Sequence, residues 1–154
     1  LGQAPYHIVG HSRGGYVACR VALDRPDLVR SCVIVDSATC SPGVERNDFV
    51  FACNPHAAFT REACLYTYAG YSYSTTHVTE DWVDLKMRLL DVEKNRLAAH
   101  KMHTDGLQET VFYPGLRADR EDLFMRLKCD GLVRPVLLIW GFNDPTAPLV
   151  MGQS

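Results

Sequence analysis

The five residues from Gly10 to Gly14 read Gly-His-Ser-Arg-Gly, which sets a serine between two glycines at a spacing suited to nucleophilic chemistry. An apolar run ends just before this pentapeptide, and a helix-forming stretch follows it. In a G-x-S-x-G turn the chain passes sharply from a strand into a helix, and the strained serine exposes its hydroxyl. The pattern therefore predicts Ser12 as a nucleophile. It also predicts the backbone N–H of Arg13, at the positive end of the helix, as one donor to a developing oxyanion.

A serine nucleophile needs a base, and the base needs an acid that orients it and stabilises its charged form. Asp144 follows an apolar run that ends at Trp140, and it occupies the place that the chain order Ser, Asp, His gives to the acid. Asp36 also ends an apolar run and is the alternative acid.

The base is missing from the sequence in hand. Six histidines are present, none of them follows Asp144, and each is expected to be structural or solvated: His7, His11, His56, His77, His100 and His103. No strand precedes Tyr6 to supply the second oxyanion donor. We therefore expect this chain to be an internal fragment of a longer protein and to be inactive alone.

The elements that must position Ser12 follow a strand–helix–strand order. Residues 6–10 and 32–35 are apolar runs of strand length, and a helix is predicted over residues 14–23 between them. This order is one βαβ unit with parallel strands. The strongest strand pattern, over residues 135–140, comes only after a long interruption.

Between residues 41 and 130 the sequence offers helical patterns but no convincing buried strand. The predicted helices are Arg61–Tyr68, Glu80–Leu90, Val92–Met102 and Asp119–Lys128. Such an insertion is too long for a simple crossover. It predicts a helical cap over residues 41–130 that roofs the carboxyl edge of an α/β core formed by residues 1–40 and 131–154.

The composition excludes several classes of protein. Sixteen basic and eighteen acidic residues give a net charge of −2, which offers no electrostatic basis for binding nucleic acid or an anionic membrane. No apolar run reaches the ~18 residues of a membrane span. The six cysteines form no C-x-x-C pair and have no histidine at zinc-ligand spacing, so we expect free thiols in a reducing cytoplasm, with no metal and no other cofactor. The expected partner is a small-molecule substrate, and a homo-oligomer stays open.

Three segments of the chain resemble the α/β-hydrolase superfamily: Val9–Gly15, Arg25–Val29 and Arg134–Asp144. Within it, the chain is most similar to the meta-cleavage-product hydrolases, which break carbon–carbon bonds in bacterial aromatic degradation. The resemblance implies a partial α/β-hydrolase fold and a Ser-His-Asp hydrolase of a ring-fission diketone, without a metal. Ser12 is then the nucleophile, or the proton relay to a water, and Asp144 orients the absent histidine.

The predicted cap helix over residues 79–91 has a cation in the middle of its apolar face. On a helical wheel Lys86 shares that face with Trp82, where a charge is costly unless it has a partner. The resemblance implies that Lys86, with Trp82 beside it, binds the substrate's carboxylate, where related hydrolases carry an arginine. The alternative is a lysine that snorkels to the cap surface.

Three departures from the resemblance leave the substrate open. His11 stands where the carbon–carbon hydrolases commonly have asparagine, Arg13 is larger than usual after the nucleophile, and Lys86 replaces arginine. A small-molecule carboxylesterase is therefore an alternative. A second alternative, of a different class, is a non-catalytic ligand-binding member or an inactive truncated one.

Overall fold

The structure, a computed structural model, describes residues 3–42 and 54–154. Cys53 and the start of the predicted cap, residues 43–53, lie outside the described residues. By its internal contacts the chain divides into two compact units. The first comprises Leu1–Glu45 with Arg117–Ser154, and the second comprises Arg46–Leu116.

The first unit contains a parallel three-stranded sheet. Its strands are β1 (Tyr6–His11), β2 (Val29–Val35) and β3 (Val136–Ile139), in the spatial order β1-β2-β3. Helix α1 (Arg13–Asp24) connects β1 to β2. This arrangement confirms the predicted α/β class with parallel strands and a connecting helix.

The register brings the carboxyl ends of the three strands to one edge. His11 pairs with Val35 at the end of β1, and Val35 pairs with Ile139 at the end of β3. The residue that follows each strand therefore lies at the same edge of the sheet. Those residues are Ser12, Asp36 and Trp140.

The core of the first unit lies between α1 and the sheet. The buried side chains include Tyr16, Cys19 and Ala22 of α1, with Val29 and Cys32 of β2. Burying a valine side chain completely contributes about 1.5–3 kcal/mol, so Val29, which is 0% exposed, is a substantial part of this small core. By contrast, all four side chains of β3 are exposed in the described chain.

A long helix, α5 (Tyr113–Cys129), is tied to α1 by polar contacts. Asp119 accepts a hydrogen bond from the Tyr16 hydroxyl, and Arg126 pairs with Asp24. Arg20 bridges to α5 as well. The predicted cap extends to residue 130, whereas residues 117–130 belong by their contacts to the first unit, because acidic and basic side chains on α5 match those on α1.

The described part of the second unit, residues 54–116, is helical. It contains α2 (Arg61–Ala69), α3 (Glu80–Asp91) and α4 (Glu93–His103), followed by a π-helical turn, Gln108–Phe112, that leads into α5. The side chains of Thr60 and Thr79 cap α2 and α3 by accepting hydrogen bonds from the N–H groups of Ala63 and Trp82.

The remaining elements of the first unit are short. A 3₁₀ turn, Ala38–Cys40, follows β2, and helix α6 (Leu149–Gln153) follows the loop after β3. Among the helices in the described ranges, none combines the length and the apolar character that crossing a membrane would require.

Candidate active site

Ser12 connects β1 to α1 in a strained backbone conformation. Its φ of 53° and ψ of −125° lie outside the regions that non-glycine residues ordinarily adopt. Such a conformation costs of order 1–3 kcal/mol and persists only where the surroundings enforce it. Here the Ser12 N–H donates to the carbonyl of Val35 at 2.9 Å, and the Ser12 carbonyl accepts from the Gly15 N–H at 2.9 Å and from the Ser37 hydroxyl at 2.5 Å.

The hydroxyl of Ser12 is not used to cap the helix it precedes. A serine at an N-cap usually accepts a hydrogen bond from the second or third N–H of its helix. Ser12 occupies the N-cap of α1, but its side chain makes no capping bond, and it is exposed. The first turn of α1 also carries no acidic side chain. An exposed hydroxyl beside an uncapped, positively polarised helix end is the geometry that a nucleophile with an oxyanion site needs.

Arg13 is the first residue of α1, so its backbone N–H lies at that positive helix end. Its side chain is exposed. The position agrees with what an oxyanion donor requires, and it depends on the backbone alone, which any residue type at position 13 would supply.

The glycines around Ser12 differ in what they do. A Cβ on Gly10 would lie 2.1 Å from the carbonyl oxygen of Gly14, and a Cβ on Gly15 would lie 2.7 Å from the Ser37 Cβ. Both positions therefore need glycine. A Cβ on Gly14 would meet nothing within 4 Å. The steric requirement for glycine therefore falls on positions 10 and 15, and position 14 has room for a Cβ.

Asp144 is held by its own turn through one carboxylate oxygen. Its Oδ1 accepts from the Thr146 N–H at 2.7 Å, from the Thr146 hydroxyl at 2.9 Å and from the Ala147 N–H at 2.8 Å. Within residues 3–42 and 54–154 no donor is bonded to its Oδ2. The half-buried carboxylate is thus fixed in orientation and keeps one oxygen able to accept a hydrogen bond from an imidazole N–H.

Asp36 uses its carboxylate to hold the loop that leads to Asp144. It follows β2 directly with a φ of 42°, and its Oδ1 accepts from the Gly141 N–H at 2.6 Å. A Cβ on Gly141 would lie 3.4 Å from the Asp144 Cβ and 3.7 Å from Asp36 Oδ1. The two candidate acids therefore flank one glycine, and they differ in what they bind.

In the second unit, Lys86 and Trp82 lie together as the helical wheel predicts, and a tyrosine completes the group. The Lys86 Nζ is 5.2 Å from the ring centroid of Tyr68 and 5.9 Å from that of Trp82, and the two rings meet edge to face at 4.1 Å. Tyr71 stacks on Tyr68 at 5.8 Å. The half-buried ammonium thus has cation–π partners. The sequence analysis did not single out Tyr68 and Tyr71. The run of tyrosines over residues 66–73 was the available signal for them.

Three of the six histidines have polar partners in the described structure. His7 is bonded to the Ser31 hydroxyl at 2.6 Å, His77 to the Ser72 hydroxyl at 3.2 Å, and His100 lies 3.4 Å from Asp105. None of the hydrogen bonds among the described residues joins a histidine to Ser12 or Asp144. The same residues contain no group of three or more His, Cys, Asp or Glu side chains that could hold a metal ion.

Comparison with protein families gives a match to the chain. The family model described as alpha/beta hydrolase fold matches residues 1–153, which is nearly the whole chain. No curated protein matches the sequence.

Proposed function

Because this chain belongs to the alpha/beta hydrolase fold family, we propose that it carries the nucleophile and the acid of a serine-dependent hydrolase. The observation that carries the proposal is the backbone of Ser12, which is strained and held on both sides while its hydroxyl is left out of helix capping. Strain of this kind is retained where it serves a site.

In the proposed mechanism, the Ser12 hydroxyl attacks a substrate carbonyl while a histidine base removes its proton. Negative charge that develops on the carbonyl oxygen is stabilised by the Arg13 N–H at the start of α1. Asp144 accepts a hydrogen bond from the histidine through its Oδ2, which keeps the imidazole in the correct tautomer. Among the described residues no histidine is hydrogen-bonded to Ser12 or Asp144, so the proposal assigns the base to none of the six histidines.

Asp144 is preferred to Asp36 as the acid because of their hydrogen bonds. One oxygen of Asp144 is saturated by three donors, which leaves the other oriented and available. Asp36 binds the Gly141 N–H, so its role is to fix the loop that carries Asp144.

For the substrate we propose a ring-fission diketone that bears a carboxylate, with Lys86 as its anchor and Trp82 beside it. The support is a half-buried cation on an aromatic surface of α2 and α3, together with the resemblance in the core motifs. A lysine supplies a point charge rather than the bidentate fork of arginine. A small carboxylic ester, which needs no anchor for a second charge, is the competing substrate class.

The test is hydrolysis of p-nitrophenyl acetate and of a dienoate diketone by the intact protein. We expect Ser12→Ala to lower turnover of both by several orders of magnitude, and the control Ser31→Ala, which removes only the bond to His7, to leave turnover unchanged. Full activity in Ser12→Ala would refute the proposed nucleophile. Activity on the ester alone would retain the serine hydrolase and reject the diketone.

A further inference from the structure

We propose that the buried Ser37 is a positioning residue for the oxyanion donor: its hydroxyl orients and polarises the Ser12–Arg13 peptide, whose N–H stabilises the developing negative charge. Ser37 is 0% exposed and follows β2 in the first unit. The inference rests on the proposed function, because it assigns a role in that same reaction.

The Ser37 hydroxyl is bonded to a distant neighbour rather than to its own turn. Ser37 occupies the N-cap of the 3₁₀ turn Ala38–Cys40, where a serine side chain usually accepts a hydrogen bond from a backbone N–H, yet it makes no capping bond. It donates instead to the Ser12 carbonyl oxygen at 2.5 Å. The Cys40 sulfur lies 3.4 Å away and is a weak acceptor, so the single hydroxyl hydrogen belongs on the carbonyl.

Two donors fix the Ser12 carbonyl. The Gly15 N–H at 2.9 Å and the Ser37 hydroxyl at 2.5 Å occupy its two lone pairs. The Gly15 bond is the first bond of α1, which the carbonyl of an N-cap residue ordinarily accepts. The Ser37 bond is additional, and it ties the serine turn to the end of β2. Gly15 leaves room for it, since a Cβ at residue 15 would lie 2.9 Å from the Ser37 Oγ.

The orientation of this carbonyl sets the direction of the proposed oxyanion donor. A peptide group is planar, and in its trans form the C=O and the N–H point in opposite directions. The Ser12 carbonyl and the Arg13 N–H belong to one such trans peptide. Because the carbonyl points to the buried Ser37, the N–H points away from it, and both Ser12 and Arg13 are exposed.

The same hydrogen bond strengthens the Arg13 N–H as a donor. Hydrogen bonds in a chain polarise one another, by about 10–30% per bond. A proton donated to the Ser12 carbonyl draws electron density from the amide nitrogen, so the N–H of that peptide carries more positive charge. The benefit grows as negative charge develops on the substrate oxygen, and it therefore favours the transition state over the bound substrate.

The experiment compares Ser37→Ala with Ser41→Ala in the intact protein. Ser41 is a matched control, because it is 3% exposed and its hydroxyl donates to the Met151 carbonyl oxygen at the same distance of 2.5 Å. Each change takes a buried hydroxyl away from a backbone carbonyl, so both variants should have a lower Tm. Only Ser37→Ala removes a donor from the Ser12–Arg13 peptide.

The kinetic readout is hydrolysis of p-nitrophenyl acetate. Ser37→Ala should lower kcat and kcat/KM equally, by about 10-fold, which is less than the ~10²–10³-fold loss on removing an oxyanion donor itself. Ser41→Ala should keep both constants at the parent's values. Ser37→Cys preserves the buried volume but leaves only a weak S–H donor, so it should repeat the loss even if Ser37→Ala fails to fold. Equal kinetic losses at positions 37 and 41, or no loss at position 37, would overturn the proposal.

A second measurement reads the peptide itself by NMR. The carbonyl ¹³C resonance of Ser12 and the amide ¹⁵N resonance of Arg13 move downfield when that carbonyl accepts a hydrogen bond. Both should therefore shift upfield in Ser37→Ala and stay in place in Ser41→Ala. Resonances that do not respond to Ser37→Ala would show that the hydroxyl has no effect on this peptide and would contradict the proposal.

Ser12→Ala in the same assay separates this inference from the proposed function. If Ser12→Ala abolishes turnover while Ser37→Ala is no slower than Ser41→Ala, the positioning role is rejected and the serine hydrolase is retained. Full turnover in Ser12→Ala would reject the serine hydrolase and, with it, the role of Ser37.

Discussion

The two glycines that flank Ser12 should respond in opposite ways to the same substitution. Gly10→Ala places a methyl group 2.1 Å from the Gly14 carbonyl oxygen, 2.4 Å from the Gly14 carbonyl carbon and 2.6 Å from the Gly15 nitrogen. All three are backbone atoms, so no side chain can rotate away. Relief requires the turn to open, which breaks the bonds that hold Ser12.

The two substitutions should change the stability of the folded chain in opposite directions. Overpacking in well-packed regions costs about 1–3 kcal/mol and occasionally more, and a contact with backbone this short places Gly10→Ala at or above the upper end of that range. Gly14→Ala adds a methyl group to open space in the first turn of α1, at a backbone conformation that alanine adopts without strain. It should stabilise the chain by ~0.4–1 kcal/mol through the unfolded state and helix propensity.

The assay is urea and thermal unfolding of the two variants beside the parent chain, followed by circular dichroism. For a chain of this size 1 kcal/mol corresponds to about 2–4 °C in Tm. Gly14→Ala should raise Tm by up to about 4 °C, and Gly10→Ala should lower it by at least ~6 °C. Equal losses in both variants, or a Gly10→Ala chain as stable as the parent, would refute the described geometry of the turn.

Three further outcomes test the proposed roles. In the intact protein Asp144→Asn should lower kcat about 10⁴-fold, because the histidine loses its correct tautomer, whereas Asp36→Asn should mainly lower Tm; the reverse ranking would exchange the two acids. Lys86→Met should raise KM for a carboxylate-bearing dienoate and leave KM for a neutral ester of similar size unchanged; parallel responses would reduce Lys86 to a packing residue. The Arg126 hydrogen bond lowers the pKa of Asp24, so this pair stabilises the folded chain above the unfolded pKa of ~3.9 and ceases to do so as pH falls through the lower folded value. Acid unfolding of Arg126→Met should therefore show a shallower loss of stability below pH ~4, and an unchanged slope would show that the pair contributes nothing.

Much of the fold was predictable because local signals agreed with the final packing. The helices α2, α3 and α4 begin and end within one residue of their predicted bounds, and the starts of α2 and α3 are marked by the capping side chains of Thr60 and Thr79. Two boundaries were wrong for local reasons. β2 begins at Val29 rather than residue 32, because Arg30 interrupts the apolar run while Val29 still pairs with Tyr6. Helix α5 begins at Tyr113, because Pro114 falls in the first turn, where proline is tolerated.

Only the part of the candidate site that depends on backbone geometry was predictable from the sequence. The serine turn was found from a spacing of glycines, because a strained residue imposes requirements on its neighbours. Residue spacing does not show which of the two aspartates is the better candidate for the acid. Asp36 and Asp144 both follow apolar runs, and the parallel register brings both to one glycine. What distinguishes them is which carboxylate oxygen receives which N–H, a matter of loop conformation.

The same limit explains the contacts of Ser37 and Tyr68. Neither belongs to a motif, and each matters because of a neighbour that is distant in sequence. Ser37 reaches the Ser12 carbonyl across 25 residues, and the space that Gly15 leaves is what admits it. A larger residue at position 15 would expel Ser37 and release one of the bonds that hold Ser12 strained. The nucleophile's conformation therefore depends on one glycine, which the pentapeptide spacing does not include.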